Sequence, residues 1–113
     1  MKNDMMLSIL VCDDDKYFFE ILRDYLCKNM YFNKSDFLYS GNKEDMLKTY
    51  RKVKPDLVFM DIEVGEDIGF DIIRELLKEG YSPQVVYITN YDYYVFDAFV
   101  GQPLGFVRKQ SLE

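Results

Sequence analysis

The sequence predicts an α/β fold, one open, doubly wound parallel sheet of five strands. Three observations point to it. Five short apolar runs alternate with amphipathic segments from one end of the chain to the other. A repeating strand–helix order of this kind closes only as a parallel sheet with crossover helices on both faces. The 113 residues are the size of one domain, enough to bury a core without metal or disulfide staples. No repeat, low-complexity tract or linker divides the chain, so residues 1–113 read as a single domain.

The elements follow in order. Leu7 to Cys12 (L-S-I-L-V-C) is a β-rich run ending on Asp13-Asp14-Asp15, a strand and then a turn. Phe19, Leu22, Leu26 and Met30 then recur at helical spacing, with Phe18 and Tyr25 widening the stripe. Asp36 to Ser40 is the second strand, closed by Gly41. Asn42 is placed to cap a helix carrying Met46, Leu47, Tyr50 and Val53. Pro55 ends that helix, and Asp56 to Ile62 reads as a third, buried strand. Val64 to Ile68 reads as a loop. Phe70, Ile73, Leu76 and Leu77 mark a third helix, stopped by Gly80 and Pro83. Gln84 to Thr89 is the fourth strand, Tyr93 to Phe99 a short aromatic helix, and Gly105 to Arg108 the fifth strand. The sequence ends soon after, so the fold reads as truncated at a fifth helix, and an apolar face left open there favours self-association into a homodimer.

Composition removes several classes of function. Lys and Arg number 14 against 20 Asp and Glu, a formal charge of −6, which argues against direct binding to nucleic acid or an anionic membrane. There is no histidine. Ser-His-Asp and Cys-His nucleophile systems and the usual zinc ligand sets are therefore excluded. Chemistry falls to carboxylates, Lys, Ser/Thr, Tyr and backbone groups. Cys12 and Cys27 have no paired spacing, and neither a signal-peptide pattern nor a membrane-length apolar run is present, so a reduced, cytoplasmic protein is expected.

In an open parallel sheet, ligands bind outside the carboxyl ends of the strands, near the point where strand order reverses. Those ends carry Asp13, Asp14 and Asp15 (strand one), Asp61 with Glu63 beyond it (strand three), Thr89 and Asn90 (strand four) and Lys109 (strand five). In the order 2-1-3-4-5 these strands are neighbours, and the groups converge on one edge. Singly, each has a plain explanation: the Asp triplet as turn and cap residues, Thr89 as a strand residue, Lys109 as a surface lysine, Phe106 as a core aromatic. Jointly they do not. Two carboxylates 4–5 Å apart repel by roughly 3–4 kcal/mol at an effective dielectric near 20, so the site demands a cation. All-oxygen donors select a hard ion, Mg2+ or in its place Mn2+. Lys109 adds fixed positive charge, Thr89 a hydroxyl for a phosphoryl oxygen, and Asp61, central among them, is the candidate nucleophile for an aspartyl phosphate.

The segments S-I-L-V-C-D-D-D, D-L-V-F-M-D-I, V-V-Y-I-T and G-F-V-R-K resemble, at their joint spacing, the receiver domain of bacterial two-component response regulators. The stretch I-T-N-Y-D-Y-Y-V-F-D-A-F-V-G-Q-P-L-G-F-V-R-K is most similar to receivers that precede a LytTR-type DNA-binding domain, the AgrA/LytR group. The resemblance implies a flavodoxin-like, CheY-like fold. It implies that Asp61 accepts a phosphoryl group from the phosphohistidine of a sensor histidine kinase, and that Asp14 binds Mg2+ directly with Asp13 assisting. It gives the backbone carbonyl of Glu63 to the metal, the phosphoryl group to Thr89 and Lys109, and the switch to Thr89 with Phe106. The output and dimerisation face then lies around helix four and strand five, where Tyr91, Tyr93, Tyr94, Phe96 and Phe99 cluster.

Such a domain is a signalling phosphoacceptor that assists only its own phosphorylation and dephosphorylation, and it controls a transcription-regulating output domain. The chain departs from the family at Val64-Gly65, where Met-Pro is common, at Asn90, where a small residue is common, and at Gln110, where Pro is common. Glu63 and Tyr91 stand where the family tunes phosphoryl lifetime. Two other readings share the chemistry. One is a Mg2+-dependent aspartyl-phosphate phosphohydrolase, for which Glu63 has the spacing of a second acid but the chain has no room for a substrate cap. The other is a scaffold receiver that works without phosphorylation.

Overall fold

The structure, a computed structural model, describes residues 7–90 and 102–112. The chain runs β1 (Ile9–Cys12), α1 (Lys16–Met30), a 3-10 turn (Lys34–Asp36), β2 (Phe37–Ser40), α2 (Lys43–Val53) and β3 (Leu57–Asp61). It continues with β4 (Glu63–Val64), β5 (Asp67–Ile68), α3 (Gly69–Lys78), β6 (Val85–Thr89), β7 (Gly105–Arg108) and a closing 3-10 turn (Lys109–Ser111). Five strands form one sheet in the order β2-β1-β3-β6-β7, every neighbouring pair parallel. With the short β4 and β5 set aside, this is the predicted order 2-1-3-4-5.

Burial on both faces explains why the central strands are unbroken apolar runs. Leu10, Cys12, Val58, Met60, Val85 and Tyr87 share the face packed on Met46, Leu47 and Tyr50 of α2 and Phe70, Ile73 and Leu76 of α3. Ile9, Val11, Phe59 and Ile88 share the opposite face, packed on Phe18, Phe19, Leu22 and Leu26 of α1. The alternation is the period of two that a pleated strand imposes. The shared direction of the parallel strands places their carboxyl ends along the same sheet edge.

Local chemistry sets the helix ends. The Asp15 carboxylate caps α1 by accepting from the N–H groups of Tyr17 and Phe18, and Asn42 caps α2 by accepting from Asp45 N–H at 2.8 Å. Both helices close on a residue in the left-handed region, Tyr31 and Lys54.

Three expectations need correction. Residues 64–68 are not a loop: Glu63 pairs with Ile68 and Val64 with Asp67 in a small antiparallel hairpin. Val64 is buried in the core beside α3 and Ile68 packs against it, while Gly65 at φ +62° makes the turn between them. Asp36 belongs to the 3-10 turn that its own carboxylate closes through Asn33 N–H, so β2 starts one residue later than the apolar run suggested. The edges of the helical stripes are wetter than expected, with Tyr25, Met30, Val53 and Leu77 exposed. The predicted helix at Tyr93 to Phe99 lies outside the described residues. Among those described, no helix is long and apolar enough to cross a membrane.

Candidate functional site

The carboxyl ends of β1, β3, β6 and β7 open onto one cleft of about 230 Å³, lined by Asp14, Asp61, Glu63, Gly65, Thr89, Asn90 and Lys109. Asp61 is the last residue of β3 and is buried; its Oδ1 accepts from Glu63 N–H at 3.2 Å. Asp13 follows β1, fully buried beneath the cleft. Its own N–H donates to the Ser40 carbonyl, and its Oδ1 accepts from Asp15 N–H at 2.8 Å. Lys109, directly after β7, extends its ammonium between the two acids, 2.8 Å from Asp13 Oδ2 and 3.3 Å from Asp61 Oδ2. The Asp61 contact is a hydrogen bond. The Asp13 contact is an ion pair by distance but falls outside hydrogen-bond alignment. The same ammonium lies 4.8 Å from the centre of the Phe18 ring, which adds a cation–π contact to its seat.

The three consecutive aspartates therefore have three different surroundings. Asp13 is the buried floor, Asp14 is exposed at the cleft mouth, and Asp15 caps α1. Asp14 is held from across the cleft: its Oδ2 accepts from Gly65 N–H at 3.2 Å.

The electrostatics follow from burying two acids beside one base. Burial foremost, and then the charge of Asp13, push the Asp61 carboxyl up to about 7, against the opposing pull of Lys109 and the Glu63 amide. Burial also raises Asp13, with Lys109 opposing. Burial alone would lower Lys109, but its contacts with Asp13 and Asp61 outweigh it, and the ammonium is held charged. One oxygen each of Asp13, Asp14 and Asp61 lie within 4.8 Å of one another. Three carboxylates against one ammonium leave excess negative charge on an all-oxygen donor set, and that chemistry fits a hard divalent cation.

Of the residues singled out from sequence, the fold brings together Asp13, Asp14, Asp61, Glu63, Thr89 and Lys109. Phe106 is not among them. It sits on β7, the edge strand, and is 42% exposed, so it is neither a cleft residue nor the core aromatic its type suggests. Sequence reasoning missed Gly65, Phe18 and Gly69. Gly69 opens α3 against the end of β3, and a Cβ there would lie 2.2 Å from the Asp61 carbonyl oxygen. Its only signal was a glycine standing directly before an apolar helical stripe.

A family model described as the response regulator receiver domain matches residues 9–112. The sensory transduction protein LytT of Bacillus anthracis is 36% identical over 107 residues, covering 92% of this chain and 42% of the relative. LytT of Bacillus subtilis is 32% identical over 111 residues with the same coverage. The chain thus spans 42% of the length of these curated relatives. Among solved structures, the response regulator TrrA of Thermotoga maritima superposes with a TM-score of 0.77 at 26% identity, over 91% of this chain and 86% of that one. A LuxR-family response regulator of Staphylococcus aureus gives 0.78 at 20% identity, over 93% and 88%, and shares the fold.

Proposed function

The chain belongs to the response regulator receiver domain family of two-component systems, with LytT-type regulators among its relatives, and from that premise we propose that it is a phosphoacceptor switch whose acceptor is Asp61. The observation that carries the reading is the seat of Asp61: a buried carboxylate at a strand end, 3.3 Å from the Lys109 ammonium and within 4.8 Å of two further aspartates. A sensor histidine kinase is the proposed donor. An Asp61 carboxylate oxygen attacks phosphorus, the P–N bond of the phosphohistidine breaks, and the imidazole nitrogen keeps the electron pair and takes a proton. The product is an acyl phosphate on Asp61.

Each neighbour has a part in this reading. Lys109, already charged and fixed on Phe18, pairs with the phosphoryl oxygens, and the Thr89 hydroxyl donates to one of them. Asp13, Asp14, Asp61 and the backbone carbonyl of Glu63 would hold Mg2+, and Mn2+ has the same donor preference. When bound, the ion neutralises the carboxylates and the incoming phosphoryl charge. TrrA of Thermotoga maritima was solved in complex with Mg(2+)-BeF, which supports a magnesium role for the matching acidic pocket here.

The added charge on Asp61 then biases Thr89 and Phe106, and through them the β7 face that signals to an output domain. In the whole regulator we assign that output to a LytTR-type DNA-binding domain that controls transcription, with dimerisation through the same face. The domain is a signalling element and not a phosphohydrolase. Incubation with acetyl phosphate and Mg2+ is expected to load one phosphoryl group per chain, with no sustained turnover of p-nitrophenyl phosphate. Continued ester hydrolysis would instead make it an enzyme.

A further inference from the structure

We propose that Gly65 is a positioning residue for Asp14: the tip of the β4–β5 hairpin holds this carboxylate at the cleft through a backbone N–H. The inference rests on reading Asp14 as a cation ligand. The three aspartates are secured unequally. Asp13 and Asp61 are buried, share the Lys109 ammonium, and each accept from a nearby amide, that of Asp15 or Glu63. Asp14 is exposed, and its Oδ2 accepts from Gly65, 51 residues along the chain. Like charges within 4.8 Å repel, which favours an exposed carboxylate rotating away into water. The amide opposes that rotation and leaves the second oxygen of the carboxylate free for a cation.

The direction of the amide is itself fixed by the core. Val64 is buried at 2% exposure and Ile68 packs beside it, so the hairpin is pinned at both strands. Gly65 turns between them at φ +62°, a conformation that a side chain without special tolerance resists. A Cβ at this position would meet nothing within 4 Å, so the residue is selected by backbone geometry alone. Contacts of this kind behind a metal ligand commonly govern affinity by about tenfold or more.

The test is Mn2+ binding by isothermal titration calorimetry on the purified chain. An ester in place of the Val64–Gly65 amide, which removes the Gly65 N–H and leaves its φ of +62° accessible, is expected to weaken Mn2+ binding by about tenfold. Gly65→Asn keeps the amide and tolerates the left-handed region, and is expected to stay within about twofold of wild type. Wild-type affinity in the ester variant overturns the proposal, and so does an equal loss in both variants. Asp14→Asn separates the two levels: wild-type Mn2+ affinity there overturns the ligand role of Asp14 itself.

Discussion

Asp13 and Asp61 face each other across a single ammonium, and burial pushes both carboxyls up, Asp61 to about 7. An ordinary aspartate in the unfolded chain releases its proton near 4. Between about 4 and 7 the folded chain therefore holds a proton that the unfolded chain has lost. The stability linked to protonated Asp61 is present at low pH, is lost as pH rises through that window at no more than about 1.4 kcal/mol per unit, and levels off above it. Urea unfolding in EDTA should show Asp61→Asn gaining on wild type as pH goes from 4 to 7; a constant difference would contradict the electrostatics. Lys109→Met leaves the two acids without their cation. Its stability at pH 8 is expected to fall by roughly 3–5 kcal/mol, and by less at pH 5, where Asp61 takes up a proton. Legibility at this scale was partial. Aspartate suits a metal site, a buried ion pair and a helix cap equally, so residue type alone did not tell Asp13, Asp14 and Asp15 apart, and it was the family resemblance that set Asp14 and Asp13 on the metal and left Asp15 out. The tertiary surroundings supply the burial of Asp13, the exposure of Asp14 and the cap made by Asp15.

Among the elements, α1 and α3 each begin on a residue whose change separates stability from the chemistry of the cleft in a different way. Asp15 caps α1 through the N–H groups of Tyr17 and Phe18, outside the cleft. Asp15→Ala is expected to cost about 1 kcal/mol in chemical denaturation while leaving acetyl phosphate labelling unchanged. Gly69 opens α3 against the Asp61 carbonyl, with no room for a Cβ. Gly69→Ala forces β3 and α3 apart; a stability loss of about 3 kcal/mol with slower labelling is the expected result, read by denaturation and by mass. The main strands and helices were legible because their apolar periods run long enough to declare themselves. The hairpin was not. Two residues per strand carry no period, and its register comes from Val64 and Ile68 meeting a core assembled from distant segments. The Val64-Gly65 departure from the family's Met-Pro was visible in sequence, but not the amide it delivers to Asp14.

For the whole molecule, the site was legible because crossover topology decides which strand ends converge before any side chain is placed. Strand ends carrying Asp13, Asp61, Thr89 and Lys109 had to meet once the sheet was parallel and ordered 2-1-3-4-5. Phe106 shows where that reasoning stops. Its surroundings depend on what covers an edge strand, and strand topology says nothing of that. The central claim, that this cleft exists to load a phosphoryl group onto Asp61, is tested most directly by intact mass after incubation with acetyl phosphate, with and without Mg2+, for wild type and Asp61→Asn. One phosphoryl adduct on wild type that requires Mg2+ and is absent from the variant is the expected result. Labelling that persists in Asp61→Asn, or that ignores Mg2+, would contradict it.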